Sequence, residues 1–269
     1  MSAMGWTAKE ETAWIDGLLH ASEERRPIAM PADLPQRLSR ERAAVLQAQQ
    51  VERLLARIGG TCVGRKIGGS SAAALKALGI EAPFVGPILS ARMQQSPARF
   101  PRADFIVCIV EAEVAVRLGH DLPLQDGPPT RAQLLDAIDL VAPAIEIADS
   151  RIADWSAACA AAIASDIGYA GAWVRGAACE DWRAIDLVAL AVEVTVDGAV
   201  VRSGSGAEVL GDPLHALALV AAEQARAGHP LRAGEWISTG SMARPLPMAS
   251  GGRLVADFGP LGRVQLELT

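Results

Sequence analysis

Residues 105–118 read FIVCIVEAEVAVRL, an apolar run interrupted only by Glu111, Glu113 and Arg117. Its valine and isoleucine content predicts a buried β-strand. Side chains alternate between the two faces of a strand, so the two glutamates point the same way, while the even-numbered, uniformly apolar positions form a core face. Two carboxylates on one face repel each other unless a positive charge lies between them.

A third acid, Glu146, lies in a second apolar run, VAPAIEIAD (141–149). Hard cations such as Mg²⁺ or Mn²⁺ take oxygen ligands, and three monodentate carboxylates would leave about three positions of an octahedron open for a substrate. The alternative is that the strand face simply reaches solvent at these glutamates, which is the usual meaning of an isolated acidic pair. Their place inside an apolar run favours the metal site.

The bulk composition excludes several classes of protein. The chain has 269 residues, 51% of them hydrophobic, which is enough for one large domain. A net charge of −6 without a block of like charge argues against nucleic acid as the partner. No apolar run approaches the roughly 20 residues of a membrane helix, and no secretory signal is evident, so we expect no membrane contact and a cytoplasmic location.

The distribution of helix and strand signals predicts an α+β fold. Amphipathic helices are expected over 6–26 and 39–58, the second with Ser39 as N-cap. We therefore expect an N-terminal helical arm (residues 1–60) followed by a β-rich catalytic body (residues 61–269).

Short runs rich in valine and isoleucine, separated by glycine and proline, predict the strands of this body. The dipeptide Asp197-Gly198 is typical of the turn in a β-hairpin. The predicted strands cover 61–67, 105–118, 141–148, 171–175, 188–202, 253–258 and 262–268, and three further helices cover 70–78, 130–141 and 212–227.

Lys66 is a second candidate for a functional residue. It lies in GRKIGGSS (64–71), where it is not followed directly by serine or threonine, so the glycines do not form a phosphate-binding loop. A lysine in an apolar strand usually extends its ammonium group to solvent. A minority are buried and act in proton transfer.

Five collinear segments of the chain resemble the 2-keto-4-pentenoate hydratase family. This family includes 4-oxalocrotonate decarboxylases and belongs to the fumarylacetoacetate hydrolase superfamily. The segments are GRKIGGSSAAALKALGI (64–80), VEAEVAVRLGHDLP (110–123), VAPAIEIADSRIADW (141–155), SGSGAEVLGDPLHAL (203–217) and the run from LRAGEW to RVQL (231–266).

The resemblance implies a role for each candidate residue. It implies a mixed, β-roll-like body of the fumarylacetoacetate hydrolase C-terminal type, usually in homo-oligomers. It makes Lys66 the active-site lysine and places the Thr239-Gly240 turn near the substrate. The metal ligands that it implies are Glu111, Glu113 and Glu146.

The implied activity is that of a metal-dependent lyase in aromatic compound catabolism. It would hydrate a 2-hydroxydienoic acid through a metal-stabilised enolate of the 2-oxo acid, and the same stabilisation supports loss of CO₂ in a 4-oxalocrotonate-type decarboxylase. Family hydratases and decarboxylases associate, so a hetero-complex with a related enzyme is also implied, as is a non-catalytic partner subunit.

Three positions depart from the family pattern. Relatives carry an acid in the turn after the helix that follows the lysine, where this chain has Phe84 or Val85. Asp166 is retained, which implies contact with the substrate, but the polar residues after it are replaced by residues 167–169. Arg244 enters a turn that is uncharged in relatives, where it could bind a second substrate carboxylate or lie in solvent.

His20 and Glu23 support a different activity. Their spacing on the first predicted helix resembles the water-activating His–Glu pair of C–C hydrolases in the wider superfamily. The alternative function is therefore hydrolysis of an acylpyruvate.

Overall fold

The computed structural model describes residues 5–269. Its helices are α1 (Ala8–Glu24), α2 (Leu34–Arg37), α3 (Arg40–Ile58), α4 (Ala72–Leu78), α5 (Arg131–Ala137), α6 (Ala160–Ser165) and α7 (Pro213–Arg226). Its strands are β1 (Cys62–Gly68), β2 (Phe84–Leu89), β3 (Met93–Gln95), β4 (Ala98–Phe100), β5 (Ile109–Leu118), β6 (Ile138–Ala148), β7 (Ala170–Arg175), β8 (Ala191–Val196), β9 (Ala199–Ser205), β10 (Trp236–Ser241), β11 (Leu246–Pro247), β12 (Gly252–Asp257) and β13 (Arg263–Leu268).

The strands form two mixed sheets. The larger, eight-stranded sheet has the order β2-β1-β10-β5-β6-β7-β3 with β11 beside β5, and the five-stranded sheet has the order β4-β13-β12-β8-β9. Three neighbouring pairs are parallel, namely β1 with β10, β3 with β7 and β4 with β13. The predicted α+β class and mixed sheet are confirmed, and the hairpin at Asp197-Gly198 joins β8 to β9.

The larger sheet is curled. In a flat sheet, β2 and β7 would lie roughly 24 Å apart, because five steps of about 4.8 Å separate them. In the structure β2 and β7 are nevertheless in contact, and Lys66 Nζ on β1 lies 2.9 Å from Glu146 Oε1 on β6. The curl therefore converts residues on distant strands into neighbours, and it is the feature of the fold that assembles the site.

The helices α1 and α3 begin and end within two residues of the predicted bounds. Thr7 and Glu10 form a capping box at the start of α1, and the Ser39 hydroxyl accepts a hydrogen bond from the third backbone N–H of α3. Their apolar faces share a core with Leu89 of β2 and Ala161 of α6. The division at residue 60 stays a prediction. None of the described helices is long and apolar enough to cross a bilayer.

Two predicted elements differ most from their boundaries in the structure, by four residues at one end. The strand expected over 105–118 begins only at Ile109, because Cys108 has a left-handed φ of 55°, which interrupts an extended strand. The helix expected over 130–141 ends at Ala137. Pairing between β5 and β6 already begins at Ile138, so the sheet takes residues that helical periodicity assigns to α5.

The strand β2, like the short strands β3, β4 and β11, was missed by the sequence prediction. The residues of β2 include Gly86 and Pro87, which weaken a strand pattern because proline cannot donate a ladder hydrogen bond. In the structure β2 is an edge strand, where proline is tolerated.

A buried ion pair between Arg151 and Asp166 holds the segment before β7. Their side chains are 1% and 0% exposed. Both Asp166 carboxylate oxygens accept hydrogen bonds, from the Arg151 guanidinium, the Arg151 backbone N–H and the Ser150 hydroxyl. Directly after it, residues 167–169 form a turn with φ values of 44°, 58° and 60°, a conformation that costs energy for residues other than glycine. The ion pair thus stabilises a strained turn that ends in Tyr169.

We expect Asp166→Ala to lower the free energy of unfolding by about 3–5 kcal/mol, because it leaves the Arg151 charge buried without a partner. The matched control is Asp16→Ala, which removes the exposed partner of Arg53 and should cost about 0–1 kcal/mol. Urea unfolding of both variants measures the difference. Equal losses would contradict a stabilising role for the buried pair.

Candidate metal centre and active-site cavity

Three glutamates lie together at the centre of the larger sheet. Glu111 and Glu113 share a face of β5, and Glu146 on β6 is the direct cross-strand partner of Glu111. One carboxylate oxygen from each residue lies within 4.8 Å of the others. The strand alternation and the antiparallel register together therefore produce a compact three-carboxylate cluster.

Glu113 is held in one orientation by the strand beside it. Its Oε2 accepts hydrogen bonds from the Ser238 hydroxyl and from the Gly240 backbone N–H at 3.1 Å. Ser238 in turn accepts a hydrogen bond from the Trp173 indole at 3.1 Å, which orients its hydroxyl toward the carboxylate. The ladder between β10 and β5 is irregular between Ser238 and Ser241, and this irregularity turns the Gly240 N–H toward Glu113.

Position 240 requires glycine. Its φ is 117°, and an added Cβ would lie 2.1 Å from the Ser70 hydroxyl oxygen. The predicted Thr239-Gly240 turn thus acts on Glu113 through a backbone N–H. The Thr239 hydroxyl instead donates to the Val114 carbonyl at 2.8 Å, so this side chain fixes the strand pair.

Lys66 is buried against the cluster. Its side chain is 4% exposed, and Nζ forms an ion pair with Glu146 Oε1 at 2.9 Å. Nζ also lies 5.2 Å from the centre of the Phe84 ring, within cation–π range. The structure therefore brings the predicted lysine to the predicted carboxylates.

The donor atoms fit a divalent cation. Glu113 Oε1 and Glu146 Oε2 are buried and accept no hydrogen bond among the described residues, and Glu146 Oε1 is paired with Lys66. Buried polar atoms are normally paired, and unpaired carboxylate oxygens are especially costly. Hard oxygen donors facing one another at this spacing are the ligands that Mg²⁺, Mn²⁺ or Ca²⁺ prefers.

Burial raises the pKa of all three glutamates, because the charged form loses hydration. The pKa of Glu111 rises from its ordinary 4.5 to about 7, through burial and then the charge of Glu146, while Lys66 opposes the shift. The pKa of Glu113 rises well above its ordinary value through burial and the other two carboxylates. Burial also raises the pKa of Glu146, against the attraction of Lys66. A cation between the carboxylates would favour their charged forms.

A cavity of about 630 Å³ opens in front of the cluster. Lys66 and Glu111 line its inner part, and Arg244 lies in its wall as predicted. Asp166 does not line the cavity, since its carboxylate is bound to Arg151 in the core. We therefore place Asp166 behind the site, where it supports the turn that carries Tyr169.

Several residues of the site were not identified from the sequence. Trp155 lines the cavity, and Ser238 and Trp173 orient Glu113. Of these, only Ser238 carried a usable signal, since a polar STGS run in a buried strand requires partners for its hydroxyl groups.

The His20–Glu23 pair lies elsewhere. Both residues are exposed on α1, and Glu23 binds Arg57 of α3. Neither residue lines the cavity that contains the carboxylates. The geometry therefore gives no support to the acylpyruvate hydrolase alternative.

Comparison with known proteins shows the family of this chain. The model of the fumarylacetoacetate (FAA) hydrolase C-terminal family matches residues 64–268. The chain belongs to this family. A 2-keto-4-pentenoate hydratase of Paraburkholderia xenovorans is 32% identical to this family member over 259 residues, which cover 96% of this chain and 94% of that protein. The TodF product hydratase of Pseudomonas putida is 36% identical over 225 residues, covering 83% and 82%.

A solved structure extends the comparison over the whole chain. The 4-oxalocrotonate decarboxylase of Pseudomonas putida G7, complexed with magnesium and adipate, matches with a TM-score of 0.89 at 25% identity, covering 99% of this chain and 100% of that one. The predicted family is confirmed, and so is the predicted enzyme class, a lyase of the hydratase or decarboxylase kind.

The raised pKa values predict that the stabilisation of the folded protein by Mg²⁺ depends on pH. Between about 4.5 and about 7 the folded protein retains a proton on Glu111 that the unfolded chain releases, so the metal-free protein loses stability as pH rises through this window. Mg²⁺ needs deprotonated ligands and therefore stabilises more at about pH 8 than at about pH 5.5. At about 100 times its Kd, Mg²⁺ should add about 2.7 kcal/mol, or roughly 5–10 °C in Tm.

Thermal unfolding with and without Mg²⁺ at both pH values measures this effect. Glu113→Gln should abolish the Mg²⁺-dependent rise in Tm without unfolding the protein, because it removes one ligand and one repelling charge. Glu208→Gln is the matched control, because this acid lines the cavity outside the cluster. A wild-type rise in Glu113→Gln, or an equal rise at both pH values, is incompatible with the site.

Proposed function

We propose that this protein is a divalent-metal-dependent hydratase that converts a 2-hydroxy-2,4-dienoic acid and water into a 4-hydroxy-2-oxo acid. The observation that carries the proposal is the cluster of three inward-facing glutamates with Lys66 at the inner end of a cavity. The hydratase relatives support the same reaction.

In this proposal Glu111, Glu113 and Glu146 hold the metal, which is Mg²⁺ or Mn²⁺. The bound metal supplies a Lewis acid that polarises the 2-oxo group and stabilises negative charge on its oxygen. Ser238 and Gly240 keep Glu113 in place through their hydrogen bonds to its Oε2. Because it is already oriented, the Glu113 carboxylate does not have to move when the substrate binds.

Lys66 moves the protons of the reaction. Ketonisation of the dienol moves the enol proton to C5, and hydration then places the hydroxyl group of water on C4 and its proton on C3. A buried ammonium group beside the cluster can exchange protons with each position because it also lines the cavity. The Glu146 carboxylate at 2.9 Å keeps the ammonium group directed at the cluster.

A second candidate function, decarboxylation of a 4-oxalocrotonate-type diacid, rests on Arg244. Its side chain is exposed in the cavity wall, and no carboxylate of the described residues lies within ion-pair distance of it. A guanidinium group there could bind a second substrate carboxylate. The match to a decarboxylase structure favours the same possibility.

We further propose that the protein is a cytoplasmic homo-oligomer that acts in the catabolism of aromatic compounds, with association to a related decarboxylase or hydratase as an extension. The role of a non-catalytic partner subunit is less well supported, because Lys66 and the three glutamates are all present and in contact.

Lys66→Met should lower kcat for 2-hydroxypenta-2,4-dienoate by about 10²–10⁴-fold, because it removes the proton-transferring group. Loss of the dienoate absorbance measures the rate, and calorimetry should find Mg²⁺ binding retained. Lys76→Met, on the exposed side of α4, is the control and should keep wild-type activity. Full activity in Lys66→Met would refute its role, whereas inactive wild-type protein with bound Mg²⁺ would refute the reaction.

Arg244→Gln separates the two candidate functions. If Arg244 binds a second carboxylate, the variant should lose about 10–100-fold in kcat/KM for the diacid relative to the dienoate, as expected for one charged hydrogen-bonded contact. Arg253→Gln is an exposed control outside the cavity. An unchanged ratio of the two kcat/KM values would remove the support for the decarboxylase.

A further inference from the structure

The cavity is larger than the substrate considered so far. A five-carbon dienoic acid has about eight non-hydrogen atoms and fills on the order of 200 Å³ at roughly 25–30 Å³ per atom. The cavity in front of the glutamates measures about 630 Å³. More than half of it therefore remains when the acid group lies at the carboxylate cluster.

The helix α4 forms one apolar wall of this additional space. Ala73, Ala74, Ala77 and Leu78 line the cavity, and none of the residues of α4 is buried by the rest of the described chain. Three alanines where larger side chains would fit leave the space open. The wall is fixed in place, because Ser71 caps the start of the helix and Gly79 ends it in a left-handed conformation.

Three aromatic rings form a second apolar wall. Tyr169 packs edge-to-face against Phe84 and Trp155, with ring centres 6.5 Å and 6.3 Å apart. The Tyr169 hydroxyl donates to the Trp155 carbonyl at 2.9 Å, so the polar end of the ring is occupied and the remainder presents apolar surface. The buried Arg151–Asp166 pair and the left-handed turn hold Tyr169 in this position.

We propose that the substrate carries an apolar tail, an alkyl or aryl group of roughly six to ten carbon atoms beyond the dienoic acid, which lies between α4 and the three aromatic rings. This inference rests on the proposed function, because that function places the acid end of the substrate at the glutamates. The tail removes apolar surface of both substrate and cavity from water, which favours long substrates over short ones.

The test is binding of unbranched 2-oxo acids, from pyruvate to 2-oxodecanoate, to the Mg²⁺-loaded wild-type protein by calorimetry. Affinity should rise roughly threefold to fourfold per added methylene until the cavity is filled. Affinity that is independent of chain length, or that falls with it, overturns the tail and leaves the proposed function standing. Failure of every 2-oxo acid to bind overturns both.

A substrate that ends in a second carboxylate is the alternative to an apolar tail, because Arg244 also lies in the cavity wall. Tighter binding of 2-oxosuberate than of 2-oxooctanoate, two acids of equal chain length, would show that charge rather than apolar burial selects the tail. That result would overturn the proposal. Weaker binding of the diacid supports it, because the second carboxylate would lose hydration against an apolar wall.

Ala74→Leu provides a structural test, since its larger side chain enters the tail site. The ratio of the 2-oxooctanoate and pyruvate affinities should fall by about 10-fold or more, the effect of excluding a few methylenes. Ala72→Leu makes the same change on α4 outside the cavity lining and should leave the ratio unchanged. Matching Tm values establish that both variants fold, and equal ratios in the two variants would overturn the proposal.

Discussion

The pairing of β5 with β6 is the constraint on which the site depends. It is antiparallel and continuous in register from Ile109 opposite Ala148 to Arg117 opposite Leu140. Because side chains at paired positions share a face, this register places Glu146 beside Glu111. A slip by one residue would turn Glu146 to the opposite face and separate the cluster. The apolar residues that alternate with the glutamates are buried, so the hydrophobic core itself fixes the register.

Burying the three glutamates together costs free energy of folding, and the groups around them offset this cost only in part. Three carboxylates lose hydration and repel one another, and Lys66 supplies only one neighbouring positive charge. The hydrogen bonds from Ser238 and Gly240 satisfy one oxygen of Glu113 but leave its other oxygen unpaired. Three buried carboxyl groups beside one lysine, with inward oxygens on Glu113 and Glu146 that accept no hydrogen bond, are poorly explained as a stabilising feature, whereas they are what a divalent cation requires.

The sequence alone predicts which residues share a face of one strand, but it does not predict the contacts between strands. Alternation along β5 was sufficient to predict that Glu111 and Glu113 share a face, because this follows from strand geometry. The position of Glu146 opposite Glu111 depends on register, and the contact of Lys66 depends on the curl of a sheet whose strands are far apart in sequence. The apolar run around Glu146 suggested this residue as the third carboxylate, and family resemblance supplied its role as a ligand and the active-site role of Lys66. The resemblance could not supply the support of Glu113 by Trp173 through Ser238, which exists only in three dimensions.

Asp166 illustrates how a residue far from the chemistry can still shape the reaction. Its retention suggested substrate contact, yet its carboxylate is fully buried and bound to Arg151. That ion pair holds the turn at residues 167–169, whose left-handed backbone would be unfavourable without support. Tyr169 at the end of the turn forms part of the aromatic wall of the cavity. The buried pair therefore connects the stability of the core to the shape of the cavity, and this link explains the presence of a charged pair outside the cavity lining.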